Sequence, residues 1–591
     1  MFIALIGYFY NSYVALRQLR RAKYMQKRWV ERGLENPQTV AGLKEALNID
    51  DVLAALLVNR GVNNYEEARD FFRPNLLLLH DPFLMKDMEK AIARIEKAIL
   101  CGEKILIYGD YDVDGTTSVA LVYSFLKRYH SDLEFYIPDR YKEGYGISSQ
   151  GIDYASDNGY TLIIALDCGI KSVDKVEYAN SLGVDFIICD HHLPGSILPP
   201  AAAVLDPKRV DCEYPYKELS GCGIGFKLVQ AYCQKNGIPF DEILCYLDLV
   251  VVSIASDIVP ITGENRILAW HGLKRLNSEP CKGLSALIDI AGKKEGFTIT
   301  DVVFTIGPRI NAAGRIDDAK HAVRLLIADS VETAFAKGQD INLKNTERKV
   351  HDSSITAQAL AIIDNDLQLI SQKTTVVYDA GWHKGVIGIV ASRLTEKYYR
   401  PTIVLTLSNG HIAGSARSVL GFDLYEALSE CSDLLVQFGG HKYAAGLTML
   451  PENLAAFQKK FEKVVSATIP DELLIQAIHI DAVLDLKQID SRFFRILKQF
   501  EPFGPQNMAP VFVSRNVFVQ GQASLVGNNH IKMCIRQDDS TYFQSIGFGL
   551  SEFIETLNKG SHFDVCYTIE ENTFKDKRSL QLNIKAITLS K

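Results

Sequence analysis

The chain is 591 residues long, 47% hydrophobic and 23% charged, with a formal net charge of −7. At roughly 100–200 residues per domain this length calls for several domains, and the composition excludes collagen-like, mucin-like and wholly disordered chains. The net charge is unfavourable for general adhesion to an anionic polymer, so any such binding must come from local basic residues or from metal ions.

Residues 2–16, FIALIGYFYNSYVAL, are apolar and are followed by Arg17, Arg20, Arg21 and Lys23. A secretory signal carries its charge before the apolar run, and a membrane span needs roughly 18 apolar residues. No stable membrane association is therefore expected. A weak membrane anchor is the minor reading of this segment; translation starting near Met25 is the expected one, with 1–36 taken as an N-terminal extension. The 11 cysteines include no C-x-x-C pair and read as free thiols of a reducing cytoplasm.

Residues 37–100 predict a helical lead-in: TVAGLKEALN and MEKAIARIEKAILCG repeat apolar residues at three- and four-residue spacing. Over 101–331 the pattern changes. KILIYG, LEFYIP, TLIIALD, DFIICD and AAVLDP are short apolar runs, mostly separated by helix-length segments. Such runs predict a parallel sheet covered on both faces, with ligands at the carboxyl ends of its strands.

Acids gather at those ends. YGDYDVDG places Asp110, Asp112 and Asp114 at alternating positions, DCG supplies Asp167, and DHH supplies Asp190, His191 and His192. A later helical stretch, ASDIVP, supplies Asp257. One Asp at a strand end is usually a turn or helix cap. The conjunction points instead to metal, because carboxylates packed this closely repel unless cations lie between them. Mixed carboxylate and imidazole donors suit Mn²⁺, and mostly oxygen donors suit Mg²⁺. Two such ions about 3.5–4 Å apart can activate water and stabilise a leaving oxygen in phosphoryl chemistry.

Residues 332–366 read as a polar connector helix between two lobes. Over 367–468, TTVVYDA and PTIVLTLS read as strands around the helix GVIGIVASRLTEKY. This second α/β lobe carries GSARS and GGHKYAAG, Gly-rich motifs whose backbone N–H groups can cradle an oxyanion. Ser415, Arg417, Ser418 and His441 add side-chain donors, and the guanidinium suits bidentate phosphate binding. The strand-rich segment 469–591 suits a small closed barrel of the OB type, which holds single strands with basic residues and stacked aromatics. Arg515, Lys532, Arg536, Phe518 and Phe543 are the candidates there.

The set DYDVDG, DCG and DHH resembles the DHH phosphoesterase superfamily. With EGYGIS, GPRINAAGR, GWHKGVIGIVASRL, GSARS and GGHKYAAG it looks like the RecJ family of bacterial single-strand-specific exonucleases, from about residue 40 onward. That resemblance implies a parallel-sheet DHH catalytic lobe, a DHH-associated second lobe joined by a long helix, and a C-terminal OB-fold barrel. It places the metal ligands on Asp112, Asp114, Asp167, His191 and Asp257, with Asp110 close by. It sets His192 beside the scissile phosphate, while Asp190 orients the site. It puts nucleic-acid phosphates on Arg309, Asn311 and Arg315 and the 5′ terminus on the second lobe. The implied enzyme uses two Mn²⁺ or Mg²⁺ ions to degrade single-stranded DNA from its 5′ end to 5′-mononucleotides. It would be a cytoplasmic monomer in repair and recombination, with a helicase and a single-strand-binding protein as partners. The alternatives are a DHH phosphodiesterase for short RNA or dinucleotides, for which the barrel and lead-in are surplus, and a non-catalytic single-strand scaffold, against which the full set of acids speaks.

Overall fold

The structure, a computed structural model, describes residues 27–33, 36–293, 296–527, 529–538, 541–574 and 577–589. The apolar run 2–16 and the expected start at Met25 lie outside them. The described chain opens with strand β1 (Arg28–Glu31) and then forms two compact units. One holds Leu34–Thr346 together with Asp490–Ala509; the other holds Glu347–Ile489, Pro510–Lys591 and the described residues up to Gly33.

The first unit begins with the helices Pro37–Leu47, Asp51–Val58, Tyr65–Phe72 and Met88–Cys101. Asp50 and Asn64 cap two of them by accepting the N–H groups of Val52 and Glu67. A five-stranded, wholly parallel sheet follows: β2 (Lys104–Gly109), β3 (Leu133–Tyr136), β4 (Tyr160–Leu166), β5 (Asp185–Cys189) and β6 (Ala203–Leu205), in the order β3-β2-β4-β5-β6. Alternate residues serve opposite faces. Ile105, Ile107, Leu162 and Ile164 pack with helices Val113–Leu126, Gly221–Lys235 and Leu247–Ser256. Leu106, Tyr108, Ile163 and Ala165 pack with Ser149–Asp157 and Val173–Ser181 on the other face. Burial on both sides is why these strands read as continuous apolar runs.

The register then builds the site. Gly109 is opposite Leu166, Leu166 opposite Cys189, and Cys189 opposite Leu205. The next residue of each strand is an acid, so Asp110, Asp167, Asp190 and Asp206 follow one another along a single sheet edge. GPRINAAGR is the helix Gly307–Ile316. Its Gly314 lies so close to the Tyr111 carbonyl that a Cβ would stand 2.8 Å from the oxygen.

Residues 490–509 also pack into this unit, which the strand-rich reading of 469–591 did not foresee. Phe500 is buried against Phe71 and Phe72, and its carbonyl accepts from the buried Arg266. The Ile261 N–H donates to the Pro505 carbonyl at 2.8 Å. Helix Val331–Asn365 runs 35 residues, and the division between the two units falls inside it.

The second unit contains a mixed sheet ordered β10-β11-β9-β8-β7. Its strands are β7 (Thr375–Tyr378), β8 (Thr402–Ser408), β9 (His411–Arg417), β10 (Gln437–His441) and β11 (Ala444–Met449). β7 and β8 are parallel and the rest antiparallel. Most of GSARS lies on β9, and GGHKYAAG is the β10–β11 hairpin. β9 is laddered on both sides, by β8 and β11, so its backbone N–H groups are engaged in the sheet.

The C-terminal strands are β12 (Ala477–Ile480), β13 (Ala482–Val483), β14 (Phe512–Val519), β15 (Ser524–Val526), β16 (His530–Arg536), β17 (Tyr542–Phe548), β18 (Phe563–Phe574) and β19 (Lys577–Leu589). β13 to β19 form a seven-stranded sheet ordered β13-β14-β18-β19-β17-β16-β15, in which β14 also pairs with β16. β1 pairs in parallel with β12 and packs Trp29 beside Ile480, Val513 and Cys566. Among the described residues no helix is long and apolar enough to cross a membrane.

Candidate metal centre

The acid-rich edge of the parallel sheet converges on His191. Its Nε2 lies 3.2 Å from Asp167 Oδ1, 3.5 Å from Asp257 Oδ2 and 3.7 Å from Asp114 Oδ2. None of these contacts is a hydrogen bond: both ring nitrogens of His191, Asp167 Oδ1 and Asp110 Oδ2 are buried without a hydrogen-bond partner. Ligand atoms of Asp167, His191 and His192 fall within 4.8 Å of one another, as do those of Asp114, His191 and Asp257.

Local structure aims each group. Asp112 is the N-cap of helix Val113–Leu126 and accepts the Gly115 N–H at 3.0 Å. Asp114, in the first turn, accepts the N–H groups of Gly221 and Cys222 at 2.7 Å each, and the Ser253 hydroxyl at 2.7 Å. Those amides are the N-terminus of helix Gly221–Lys235, where a carboxylate is favoured. Asp167 adopts the left-handed φ of 60° just past β4, and Gly221 presses on it: a Cβ at 221 would come 2.6 Å from the Asp167 Cβ. Asp257 is the C-cap of helix Leu247–Ser256.

The electrostatics are those of an unneutralised acid cluster. Burial, then Asp112, drives Asp110 well above the ordinary carboxyl range. Burial, then Asp114, Asp112 and Asp257, does the same to Asp167. Asp112 is raised by burial and Asp114. Asp257 is pushed up to about 8 by burial and then by Asp114 and Asp112. Burial lowers His191. A set of buried carboxylate oxygens and an imidazole, several without protein partners, fits a divalent cation of the Mn²⁺ or Mg²⁺ kind.

Asp190 is different. Its Oδ1 accepts from the His191 and His192 amides at 2.8 and 3.1 Å and lies 2.7 Å from His192 Nδ1; its Oδ2 accepts the Ile170 N–H at 2.9 Å. Burial works against its charge, but these bonds bring the carboxyl down to about 2. Burial likewise opposes the His192 charge, yet the bond and charge of Asp190 raise the imidazole to about 9. The Tyr145 hydroxyl stands 3.2 Å from His192 Nε2. Tyr145 lies in the EGYGIS motif, but nothing in its spacing linked it to this histidine.

The other expected contacts lie as follows. Arg309 donates to the Thr305 carbonyl and to Asn342, so its guanidinium is braced within the helices. Arg315 closes the same helix, and its carbonyl accepts from the Tyr141 hydroxyl; Asn311 is half-buried on it. In the second unit Arg417 donates to Ser415 Oγ at 3.1 Å, and Ser415 is opposite Gly446 in the β9–β11 ladder. Gly388, in the first turn of helix Ile387–Tyr398, lies against both: a Cβ would stand 2.9 Å from Ser415 Oγ and 3.1 Å from an Arg417 terminal nitrogen. His441 is exposed across from Ala444, and Ser418 donates to the Phe422 carbonyl.

On the C-terminal sheet, Arg515 is ion-paired with Glu31 and with Asp564 at 3.0 Å, and Phe543 is buried in the core. Phe543 is therefore not a surface stacker. Its neighbours Tyr542 and Phe548, 60% and 55% exposed, share the outer face with Lys532 and Arg536. Phe518 is half-buried against His562.

Three family models match the chain: the DHH family N-terminal domain at 104–254, the DHHA1 domain at 371–467 and the RecJ OB domain at 480–586. The single-stranded-DNA-specific exonuclease RecJ of Bacillus subtilis (strain 168) is 38% identical over 555 residues, covering 93% of this chain and 70% of the relative. The crystal structure of RecJ in complex with Mn²⁺ from Thermus thermophilus superposes with a TM-score of 0.82 at 27% identity, over 95% of this chain and 80% of that one. The Mg²⁺ complex from the same organism gives 0.77 at 26% identity, over 97% and 79%. With that identity running almost end to end, and the acids and histidines gathered at one sheet edge, the chain belongs to the RecJ family of DHH phosphoesterases.

Proposed function

We infer that this protein is a divalent-metal-dependent exonuclease that degrades single-stranded DNA in the 5′-to-3′ direction to 5′-mononucleotides. The observation that carries the reading is the convergence of Asp114, Asp167 and Asp257 on His191, with donor atoms left unpaired, in a chain collinear with RecJ. Asp112, Asp114, Asp167, His191 and Asp257 hold the cations, with Asp110 beside them. Bound there, divalent ions supply Lewis acidity that polarises the scissile phosphodiester and offsets the repulsion among the carboxylates.

The chain's own groups do the rest. Asp190, with both oxygens occupied, is a positioning residue. It fixes the His192 ring and keeps it charged, so that His192 Nε2 carries a proton toward the Tyr145 hydroxyl. From there His192 hydrogen-bonds a phosphate oxygen or protonates the departing oxygen. In the second unit Ser415 and Arg417 bind a terminal phosphate beside Gly388, with Ser418 and His441 nearby; Arg309, Asn311 and Arg315 line the path of the strand in the first unit. Lys532 and Arg536, with Tyr542 and Phe548, offer the OB domain a stacking face.

The family likeness supports a role in DNA repair and recombination as a cytoplasmic monomer, with a helicase and a single-strand-binding protein preparing the substrate. The test is digestion of 5′- and 3′-labelled single strands, duplex and short RNA with Mn²⁺. Loss of single-stranded DNA from the 5′ end is expected, and attack restricted to dinucleotides contradicts the reading.

A further inference from the structure

One acid on the sheet edge takes no part in the cluster around His191. Asp206 follows β6 directly, and the β5–β6 register sets it beside Asp190. It is fully buried. Its Oδ1 accepts the Lys208 N–H at 2.7 Å, and its Oδ2 has no partner. A side-chain oxygen that accepts the amide two residues ahead closes an Asx turn. The same turn is pinned by Arg209, which is buried, donates to the Val204 carbonyl and pairs with Asp87 at 2.7 Å and Asp211 at 2.8 Å. The chain therefore reverses just past the edge strand, in a turn that starts beside Asp190 and carries Lys208.

The Lys208 side chain is 20% exposed, and its ammonium has one loose ion pair, 3.4 Å from the half-exposed Glu218. Glu218 lies three residues before Gly221, whose N–H binds Asp114 at 2.7 Å, so the ion pair ties Lys208 to the segment that leads into the acid cluster. A phosphodiester adds negative charge to a site already crowded with carboxylates. An ammonium on a flexible stem, with three donors and one weakly held partner, suits an oxygen of that group.

We propose that Lys208 is a substrate-binding residue whose ammonium contacts a non-bridging oxygen of the scissile phosphodiester, held at the sheet edge by the Asp206 turn. The assignment rests on the exonuclease reading above. Without substrate, Glu218 holds the ammonium; with substrate, the phosphate replaces it.

The test uses full-length Lys208→Met, Lys208→Arg, Asp206→Ala and Asp206→Asn on 5′-phosphorylated single-stranded DNA, with Mn²⁺ binding measured separately by calorimetry. Lys208→Met is expected to lose on the order of tenfold to a hundredfold in kcat/KM, the worth of one charge-assisted hydrogen bond. Its Mn²⁺ affinity should equal the wild type or exceed it, because the substitution removes a positive charge and no metal ligand. Lys208→Arg recovers most of the loss. Asp206→Ala opens the turn and loses activity, and Asp206→Asn, which can accept the same N–H, recovers it. An active wild type matched by Lys208→Met overturns this assignment alone. So does a Lys208→Met defect that tracks lost Mn²⁺ binding or a lowered Tm. A wild type that leaves the strand intact overturns the exonuclease reading, and this assignment with it.

Discussion

His192 Nδ1 lies 2.7 Å from Asp190 Oδ1, and the same carboxylate is already bonded by the amides of Ile170, His191 and His192. Three nitrogen donors crowd Asp190 Oδ1, so the expectation is that Asp190 holds one imidazole charged and in one orientation rather than ligating a cation. Replacing it with Asn keeps the shape and removes the charge. Asp190→Asn is expected to lower kcat on the order of a hundredfold or more, the usual worth of a positioned acid or base. Mn²⁺ binding by calorimetry should change little. A variant that loses Mn²⁺ and activity in parallel contradicts this division of labour.

The acid cluster makes stability depend on pH in a defined direction. Asp110, Asp112, Asp167 and Asp257 all have folded-state values above their unfolded ones, with Asp257 at about 8. The native state then binds more protons than the unfolded chain, so stability falls as pH rises from about 4 to about 8. In chelator, Tm is expected to drop between pH 5 and pH 8, and Mn²⁺ should raise Tm more at pH 8 than at pH 5. A metal response equal at both values contradicts the account.

His191 and Asp167 supply this contrast by mutation. Asp167→Asn removes one of the repelling charges beside an unpaired His191 Nε2. Activity should fall at least about a hundredfold through loss of the metal, while Tm in chelator at pH 8 equals or exceeds the wild type. A variant that is both inactive and less stable under those conditions points to a structural role for Asp167.

Gly221 is a contact rather than a hinge. A methyl group there would stand 2.6 Å from the Asp167 Cβ, whereas at Gly223 the nearest atom is at 3.4 Å. Gly221→Ala should cost about 1–3 kcal/mol, typical of overpacking, and should impair Mn²⁺ binding. Gly223→Ala should be milder on both counts. Urea melts with calorimetric Mn²⁺ titrations compare the pair, and equal effects contradict the packing argument.

Arg417 and Ser415 are adjacent through a 3.1 Å bond against the first turn of helix Ile387–Tyr398. Arg417→Glu is expected to raise KM for a 5′-phosphorylated strand on the order of tenfold by reversing one charge-assisted contact, with Mn²⁺ affinity unchanged. A strand without the 5′-phosphate should show a smaller difference between the two proteins. Equal KM values remove Arg417 from the phosphate site.

Much of this was legible in the sequence, for physical reasons. β2, β4 and β5 are buried on both faces, so they appear as unbroken apolar runs, and the acids that end them fall on one edge because the strands are in register. What was hidden depends on long-range pairing. Gly- and Ser-rich GSARS has little β propensity of its own and becomes a strand only between β8 and β11. Phe543 and Tyr542 differ by one step of alternation, which exchanges core for surface. The Arg515–Glu31 pair joins residues far apart in sequence, and so do the contacts of Phe500 with Phe71 and Phe72. The partnership of Tyr145 with His192 likewise emerges only when the loop after β3 folds over the edge.

A single-stranded DNA labelled separately at its 5′ and 3′ ends, followed with Mn²⁺ and then with chelator, decides the direction and the metal dependence of the digestion together. Immediate release of the 5′ label as a mononucleotide and progressive shortening of the 3′-labelled strand are expected. Both should stop in chelator and in Asp167→Asn. Release of the 3′ label first, or digestion that persists in chelator, contradicts the exonuclease reading.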